Sequence, residues 1–564
     1  MPLGVLQYNG SRMTHVPGTV LLDMHDQASE DMAGVKRGEG KDSEVILVPQ
    51  PSSDPNDPLN WPLWQRDLIL LLYCYCTLLC IGGVGPIISP MAVPLIEQFH
   101  IGFTQVSLLL GYNLVAVGAV GVAVSACARK YGKRPMLLWS ISTVLAGTIW
   151  ASRAMTYNSM VGARVFQGLG LAMFESVTFT LIGDLYFVHQ RGSRMAFYVV
   201  CQSGLANLPG VVAGKVTMDM GWRWAFYLVV VFLVVAWFAC VMFGWETCYN
   251  RDSIYNIDTS SQDNLTILRE TKGTSSIHTE TAELSTTISA RAVPGREPVL
   301  QRLKPYHGTY SDEPLWRMIL KPFFVLLNPI ASWSILIVSF ASLWVIAISL
   351  VVAQIFSAPP YLFNTAEVGY ISAGPMVGGF AGCALCGLIS DPIARWLTRK
   401  NKGVYEPEFR LPMMILVPVV SAIGYFSFGG IITEGKSAVA AAAMWGVTFV
   451  AVQVAAVSTG AYIVDAFRDI SVEIFIISMS VKNFLWFGFS CMLPLAPFPS
   501  HTTMLLTGVD FLNDWYASAG AAGMFYTIGG IQVALSLTTI PVYIFGKRLR
   551  AWWHVHNVLD KASN

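Results

Sequence analysis

Apolar runs of bilayer length, repeated along the chain, constrain the fold of this sequence more than any motif does. At ~1.5 Å rise per residue, about twenty apolar residues cross a ~30 Å hydrocarbon core as a helix. Six such runs lie near residues 68–91, 105–127, 135–155, 159–185, 195–218 and 222–244. Six more lie near 328–353, 367–390, 412–433, 437–464, 472–496 and 516–545. Composition agrees: 54% of the 564 residues are hydrophobic and 13% charged, which excludes a soluble globular domain. The net charge of +1 leaves no nucleic-acid footprint, so the expected partner is the lipid bilayer.

The runs divide the chain into an N-terminal tail (1–65), a first six-helix bundle (66–245), a linker (246–322), a second bundle (323–546) and a C-terminal tail (547–564). The N-terminal tail, rich in charge, Gly and Pro, is expected to be disordered up to Asn60-Trp61-Pro62, where Trp61 and Trp64 suit a membrane interface. It contains no cleavable signal, so the first span would direct insertion. The linker, full of Ser, Thr and charge, has too little apolar content to fold alone. Lys and Arg crowd the loops on one side: Arg129, Lys130, Lys133 and Arg134; Arg191 and Arg194; Arg395, Arg399, Lys400, Lys402 and Arg410; Arg468; Lys547, Arg548 and Arg550. The other side holds Arg153, Lys215, Arg223 and Lys436. The positive-inside rule therefore puts both termini and the linker in the cytoplasm. The sequons at Asn9 and Asn264 fall on that side and should stay unglycosylated.

The halves repeat weakly. Ile182-Gly183-Asp184 closes the fourth span as Ile463-Val464-Asp465 closes the tenth, and the second and eighth spans exit into loops rich in basic residues. Repeats of this kind predict an all-α fold of twelve transmembrane helices in two pseudo-symmetric six-helix bundles around a midplane site.

Ionisable residues inside spans are costly and mark pathways by default. Only Arg164, Glu175 and Lys482 lie deep in apolar runs; Asp67, Lys215, Glu367, Asp465 and Glu473 sit near span ends. Arg164 and Glu175 are eleven residues apart, three turns plus ~20°, so they leave one face of a helix. Glu175 is either a shielded proton acceptor or a static counter-ion to Lys482 or Arg164. Lys482 either contacts an anionic group of a substrate or pairs with Glu175. Asn113, Gln202, Asn207, Gln354, Gln453 and Tyr462 are polar residues within spans that line a cavity or bridge helices. Ten cysteines, including Cys383 and Cys386, read as packing residues, and neither a metal cluster nor a phosphate-binding glycine loop is present.

These residues resemble the major facilitator superfamily, and within it the twelve-span drug:proton antiporters of fungi. Arg164-x-x-Gln167-Gly168-x-Gly170 matches the fourth-span signature whose arginine supports proton transfer in that family. Tyr131-Gly132-Lys133-Arg134-Pro135 matches the signature between the second and third spans, with Arg129 where an aspartate is usual; Asp184 is placed to supply the missing acid. Gly204 with Pro209-Gly210 is similar in part to the antiporters' fifth-span motif, although Leu208 replaces its glycine. The segment 54–61 and the Lys482-Asn483 pair are similar to the branch of the yeast histidinol and polyamine permease and to fungal cluster-associated exporters.

The resemblance implies a proton-coupled secondary transporter of a small organic molecule, most simply an exporter of a drug-like compound or secondary metabolite, without a cofactor. Uptake of an organic cation such as a polyamine is the alternative in the same fold, and a non-transporting sensor or scaffold the alternative outside it. An enzyme is not expected. Arg164 and Glu175 are the expected proton-coupling pair. Gln167, Lys482 and Asn483 join the polar span residues above as cavity candidates. Arg129, Arg134, Asp184, Asp391, Arg395 and Asp465 form the expected cytoplasmic gate, and Gly168, Gly170, Gly204, Pro209 and Gly210 the helix-packing set. A functional monomer in the plasma membrane is expected.

Overall fold

The computed structural model describes residues 20–21, 51–52, 54–249, 298–401, 404–467, 470–491 and 511–556. Among them, eleven helices are long and apolar enough to cross a membrane. In the first half these are α1 (Leu63–Ile88), α2 (Phe103–Tyr131), α3 (Lys133–Ser152), α4 (Tyr157–Leu185), α5 (Arg194–Met220) and α6 (Trp222–Phe243). In the second half they are α7 (Pro329–Ser357), α8 (Thr365–Lys400), α9 (Pro407–Thr433), α10 (Ala438–Ala466) and α12 (Trp515–His554). A 21-residue helix, α11 (Ser471–Cys491), stands where the eleventh apolar run was expected.

Packing repeats with an offset of six helices. α2 lies on α4 as α8 lies on α10, α3 on α4 as α9 on α10, and α3 on α6 as α9 on α12. The two bundles meet along two seams related by the same offset, α2 against α11 and α5 against α8. Glycines permit the closest approaches: a Cβ on Gly214 of α5 would come within 2.9 Å of Gly369 Cα of α8. Gly168 and Gly170 play this part inside the first bundle, against the backbone of Asn113 and Ser140, while Gly204 and Gly210 face Phe380 and Ser372 across the α5–α8 seam. Pro209 stands in the first turn of the regular part of α5, where a missing N–H costs no helical bond.

Three helices of the first bundle are irregular at mid-depth. α1 contains a π-turn at Leu78–Gly82 and α5 one at Val200–Gly204, followed by a 3-10 turn at Leu205–Asn207. The two touch, with Gly82 packed on the backbone of Ala206. α4 breaks between Ser176 and Thr178, where the Phe174 carbonyl accepts from Thr178 Oγ1 (3.2 Å) and Tyr198 OH (2.6 Å). Side chains that enter the i→i−4 ladder are a recognised cause of such kinks. Irregular backbone is tolerated at membrane depth where protein buries it or where it lines a cavity.

The tail and linker meet at one end of the molecule, called here the linker end. Asp57, fully buried, accepts from the N–H groups of Ser52 and Leu59; Tyr249 OH donates to Asp54 Oδ2, and Trp61 meets Trp245 edge-on at 6.3 Å. The chain before α1 is thus folded onto the exit of α6. Residues 298–324 dock on the first bundle through Arg134, which donates to the carbonyls of Leu303 and Lys304, and through Tyr310 N–H to Lys130 O (2.8 Å). A linker helix, Leu315–Phe324, follows. A two-residue strand at Val20–Leu21 pairs antiparallel with Val404–Tyr405. The last helical segment runs to Val555, so Lys547 and Arg550 extend the final span.

Candidate functional site

Glu175 lies immediately before the break in α4, and its carboxylate crosses to the second bundle. Its Oε2 accepts from Asn483 Nδ2 at 2.9 Å and pairs with Lys482 Nζ at 3.4 Å, both on α11. The side chains of Glu175 and Lys482 are 7% and 18% exposed. Each stands ten or eleven residues from its helix's linker end, ~15 Å into the bilayer. Small residues bring the helices together here: on α2, Gly118 faces Asn483 and Gly121 faces Ser176 and Ser480. Toward the linker end, Phe179 stacks on Phe475 of α11 at 5.7 Å and meets Tyr198 edge-on at 5.0 Å.

Arg164 occupies a separate station, ~16 Å farther along the same helix. Its guanidinium donates to Val84 O (2.6 Å), Leu109 O (3.2 Å) and Gln167 Oε1 (3.0 Å). Gln167 Nε2 donates to Thr148 Oγ1 (3.1 Å), and Asn113 Nδ2 donates to Arg164 O (2.9 Å). Arg164, Gln167 and Asn113 have no solvent exposure, and among the described residues no carboxylate pairs with Arg164. The structure therefore brings Glu175, Lys482 and Asn483 together and holds Arg164, Gln167 and Asn113 inside the first bundle.

Contacts bridge the bundles at both ends. At the linker end, Arg129 Nη1 donates to Glu473 Oε1 across the α2–α11 seam at 2.9 Å. At the far end, Ser89 Oγ donates to Ser349 O (2.7 Å), and the Gly214–Gly369 contact closes α5 on α8. The Glu175 cluster lies between these two sets of contacts.

A Major Facilitator Superfamily model matches residues 74–481, more than half of the chain. The chain belongs to that superfamily. An uncharacterized MFS-type transporter of Schizosaccharomyces pombe is 23% identical over 95% of this chain and 93% of its own length. Protein HOL1 of Saccharomyces cerevisiae is 21% identical over 98% of each, and the MFS-type transporter atr4 of Stereocaulon alpinum 24% identical over 70% of this chain and 65% of its own. Among solved structures, the MFS proton:xylose symporter XylE bound to 6-bromo-6-deoxy-D-glucose superposes with a TM-score of 0.54 at 13% identity, covering 87% of this chain and all of XylE. The fold is the MFS fold. The protein is a membrane-embedded carrier for small molecules rather than an enzyme.

The other expected site residues occupy distinct places on the MFS scaffold. Gln202 and Asn207 lie in the irregular part of α5, half-buried, with Asn207 Nδ2 bonded to Ser203 O. Gln354 is half-buried near the far end of α7, and Gln453 is buried on α10 against Gly382 of α8. Tyr462 lies at the linker end of α10, its hydroxyl beside Gly546 and edge-on to Trp333.

Among the gate candidates, Asp184 pairs with Lys133, the first residue of α3. Asp465 pairs with Arg410 (3.1 Å) and accepts from Tyr405 OH, the pseudo-symmetric counterpart. Burial and the Asp465 charge hold the Tyr405 phenol well above its ordinary pKa, so it remains a donor. Arg134 binds backbone carbonyls, while Glu246 accepts from the N–H groups of Lys133 and Arg134 at the start of α3. Arg395 is exposed on α8, and the side chain of Asp391 lies outside the described residues.

Sequence reasoning missed a second cluster. Arg550 of α12 grips Glu408 through two bonds (2.8 and 3.0 Å) and Glu406 at 3.1 Å, with Lys547 also on Glu406; Arg550 and both glutamates are buried. The available signal was two acids flanking Pro407 at the start of α9 and two bases at the same end of α12.

Proposed function

We propose that this protein is a proton-coupled secondary transporter that exports a small organic molecule, drug-like or a secondary metabolite, across the plasma membrane, with both termini and the linker cytoplasmic. The observation that carries the reading is the Glu175 carboxylate, buried at mid-depth and bonded across the bundle interface to Lys482 and Asn483. Protonation removes its charge and weakens this cross-bundle attraction, so proton binding and bundle separation are linked. Arg164 supports the coupling from its network on the same helix. The half-buried polar residues Gln202, Asn207 and Gln354 face substrate when a seam opens. The names of several fungal relatives, MFS-type transporters among them, agree with carriage of a small molecule. The orientation rests on the excess of Lys and Arg at the linker end.

Uptake of an organic cation is the second reading. It is favoured by the aromatic group of Phe179, Tyr198 and Phe475, one helical turn from Glu175, a combination that suits a cation. One experiment separates the two: metabolites are compared in cells and medium with and without the protein. Intracellular accumulation of a compound on loss of the protein supports export. Depletion of an external cation only when the protein is present supports uptake, and no change in either sinks the transport reading.

A further inference from the structure

The linker helix Leu315–Phe324 has two apolar faces, and among the described residues protein covers only one of them. At ~100° per residue, Met318 and Pro322 share one side. Both are buried, and the helix packs against α2 and α11. Trp316, Leu320 and Phe323 fall on the opposite side, within an arc of ~60°. They are 59%, 45% and 46% exposed. Arg317 and Lys321 occupy the flank between the two faces, and the Arg317 guanidinium lies over the Trp316 ring at 5.4 Å.

An outward apolar stripe of this size needs a covering. Its setting identifies one. A single 3-10 turn, Val325–Leu327, joins the helix to α7, and the exposed side chains continue through Leu326 and Leu327 to Leu336 on the outer surface of that span. The stripe is thus continuous with surface that faces hydrocarbon. Trp at headgroup level, an apolar face below and basic side chains on the flank are the features of a helix lying in a membrane interface. Between residues 298 and 324 the linker carries four basic and two acidic side chains, which complements an anionic rather than a neutral surface.

We propose that Leu315–Phe324 lies in the headgroup layer of the leaflet at the linker end, with Trp316, Leu320 and Phe323 in the acyl boundary and Arg317 and Lys321 bound to anionic phospholipid. Because its inner face rests on α2 and α11, beside the Arg129–Glu473 pair, the lipid-held helix braces the seam that must part for the linker end to open. Only the identity of that leaflet, the cytoplasmic one, rests on the orientation proposed above.

The test uses the full chain in vesicles of phosphatidylcholine, alone or mixed with phosphatidylserine. An environment-sensitive fluorophore is placed at Leu320→Cys, with Asp312→Cys as the aqueous control and the unreplaced chain as the background for native thiols. Brominated acyl chains should quench the 320 label at least twofold and leave the 312 label unchanged, and quenching should be stronger with phosphatidylserine present. Arg317→Gln with Lys321→Gln should abolish that difference between lipids. Equal quenching in both lipids would overturn the anionic headgroup. A 320 label that aqueous iodide quenches as fully as the 312 label would overturn the membrane placement. A 320 label shielded from both quenchers would show a protein cover and overturn it as well.

Discussion

Glu175 and Arg164 look alike in sequence, one charge each on one helix, and the structure gives them different surroundings. Arg164 is enclosed by carbonyls and amides of its own bundle, whereas Glu175 depends on the other bundle for its partners. If Glu175 carries the proton, Glu175→Gln keeps size and hydrogen bonding but cannot change charge. Transport driven by a pH difference in proteoliposomes should then fall at least tenfold while substrate exchange persists. A well-folded variant that still concentrates substrate on a pH difference would show that the proton travels elsewhere. At Arg164 the geometry of the fork matters as much as its charge, since three acceptors lie around it. Arg164→Lys should retain more coupling than Arg164→Ala, read as the ratio of proton to substrate flux. Depth and charge made both residues legible as candidates. Lys482 was legible as one of two possible partners of Glu175; the choice between it and Arg164, and the bond from Asn483, were not, because Lys482 and Asn483 lie some three hundred residues from Glu175 and only the meeting of α4 with α11 brings them to it.

At the scale of elements, the charged helix ends divide into pairs within a bundle and a pair between bundles. Asp184–Lys133 and Asp465–Arg410 fasten the fourth helix of each half to the start of the third, and Arg129–Glu473 fastens one half to the other. The sequence suggested a gate in which Asp184 supplies the acid missing at position 129; in the structure Asp184 pairs with Lys133 of that same loop, and Arg129 pairs with Glu473 in the first turn of α11. Arg129→Glu should therefore raise accessibility at the linker end, and the double variant Arg129→Glu with Glu473→Arg should restore it, read by the labelling rate of a linker-end cysteine. Failure of the double variant to rescue would remove this pair from the gate. The Arg550 cluster differs in kind, because it is buried within one bundle. Arg550→Ala leaves Glu406 and Glu408 with Lys547 as the remaining basic side chain shown bonded to them, a loss of ~3–5 kcal/mol of stability for a broken buried pair. A lowered Tm in detergent checks it. Helices were readable because a bilayer demands long apolar runs. The break in α4 was not, since no Pro marks it and its cause is the Tyr198 and Thr178 hydroxyls on one carbonyl.

The whole molecule is two bundles that touch along two seams, and the six-helix offset that relates the bundles also relates the seams. Small residues close the far end, where Gly214 meets Gly369, and an ion pair closes the linker end, where Arg129 meets Glu473. These closures fail in different ways. A side chain added at Gly214 has no room, because its Cβ would already lie 2.9 Å from both Gly369 Cα and Thr365 O, so Gly214→Leu should wedge α5 from α8 at the far end. Loss of charge in Glu473→Gln should instead loosen α2 from α11 at the linker end. If the bundles rock as rigid bodies about the midplane, each variant should open its own end and leave the other closed. Spin labels at the exposed Met220 and Leu362 report the far end, and labels at Tyr131 and Lys400 the linker end. Gly214→Leu should lengthen the first distance by several ångströms and not the second; Glu473→Gln should do the reverse. Both distances lengthening together in either variant would mean that the seams are not coupled through a rocking midplane. The Glu175 cluster would then be a rivet between the bundles and not their pivot.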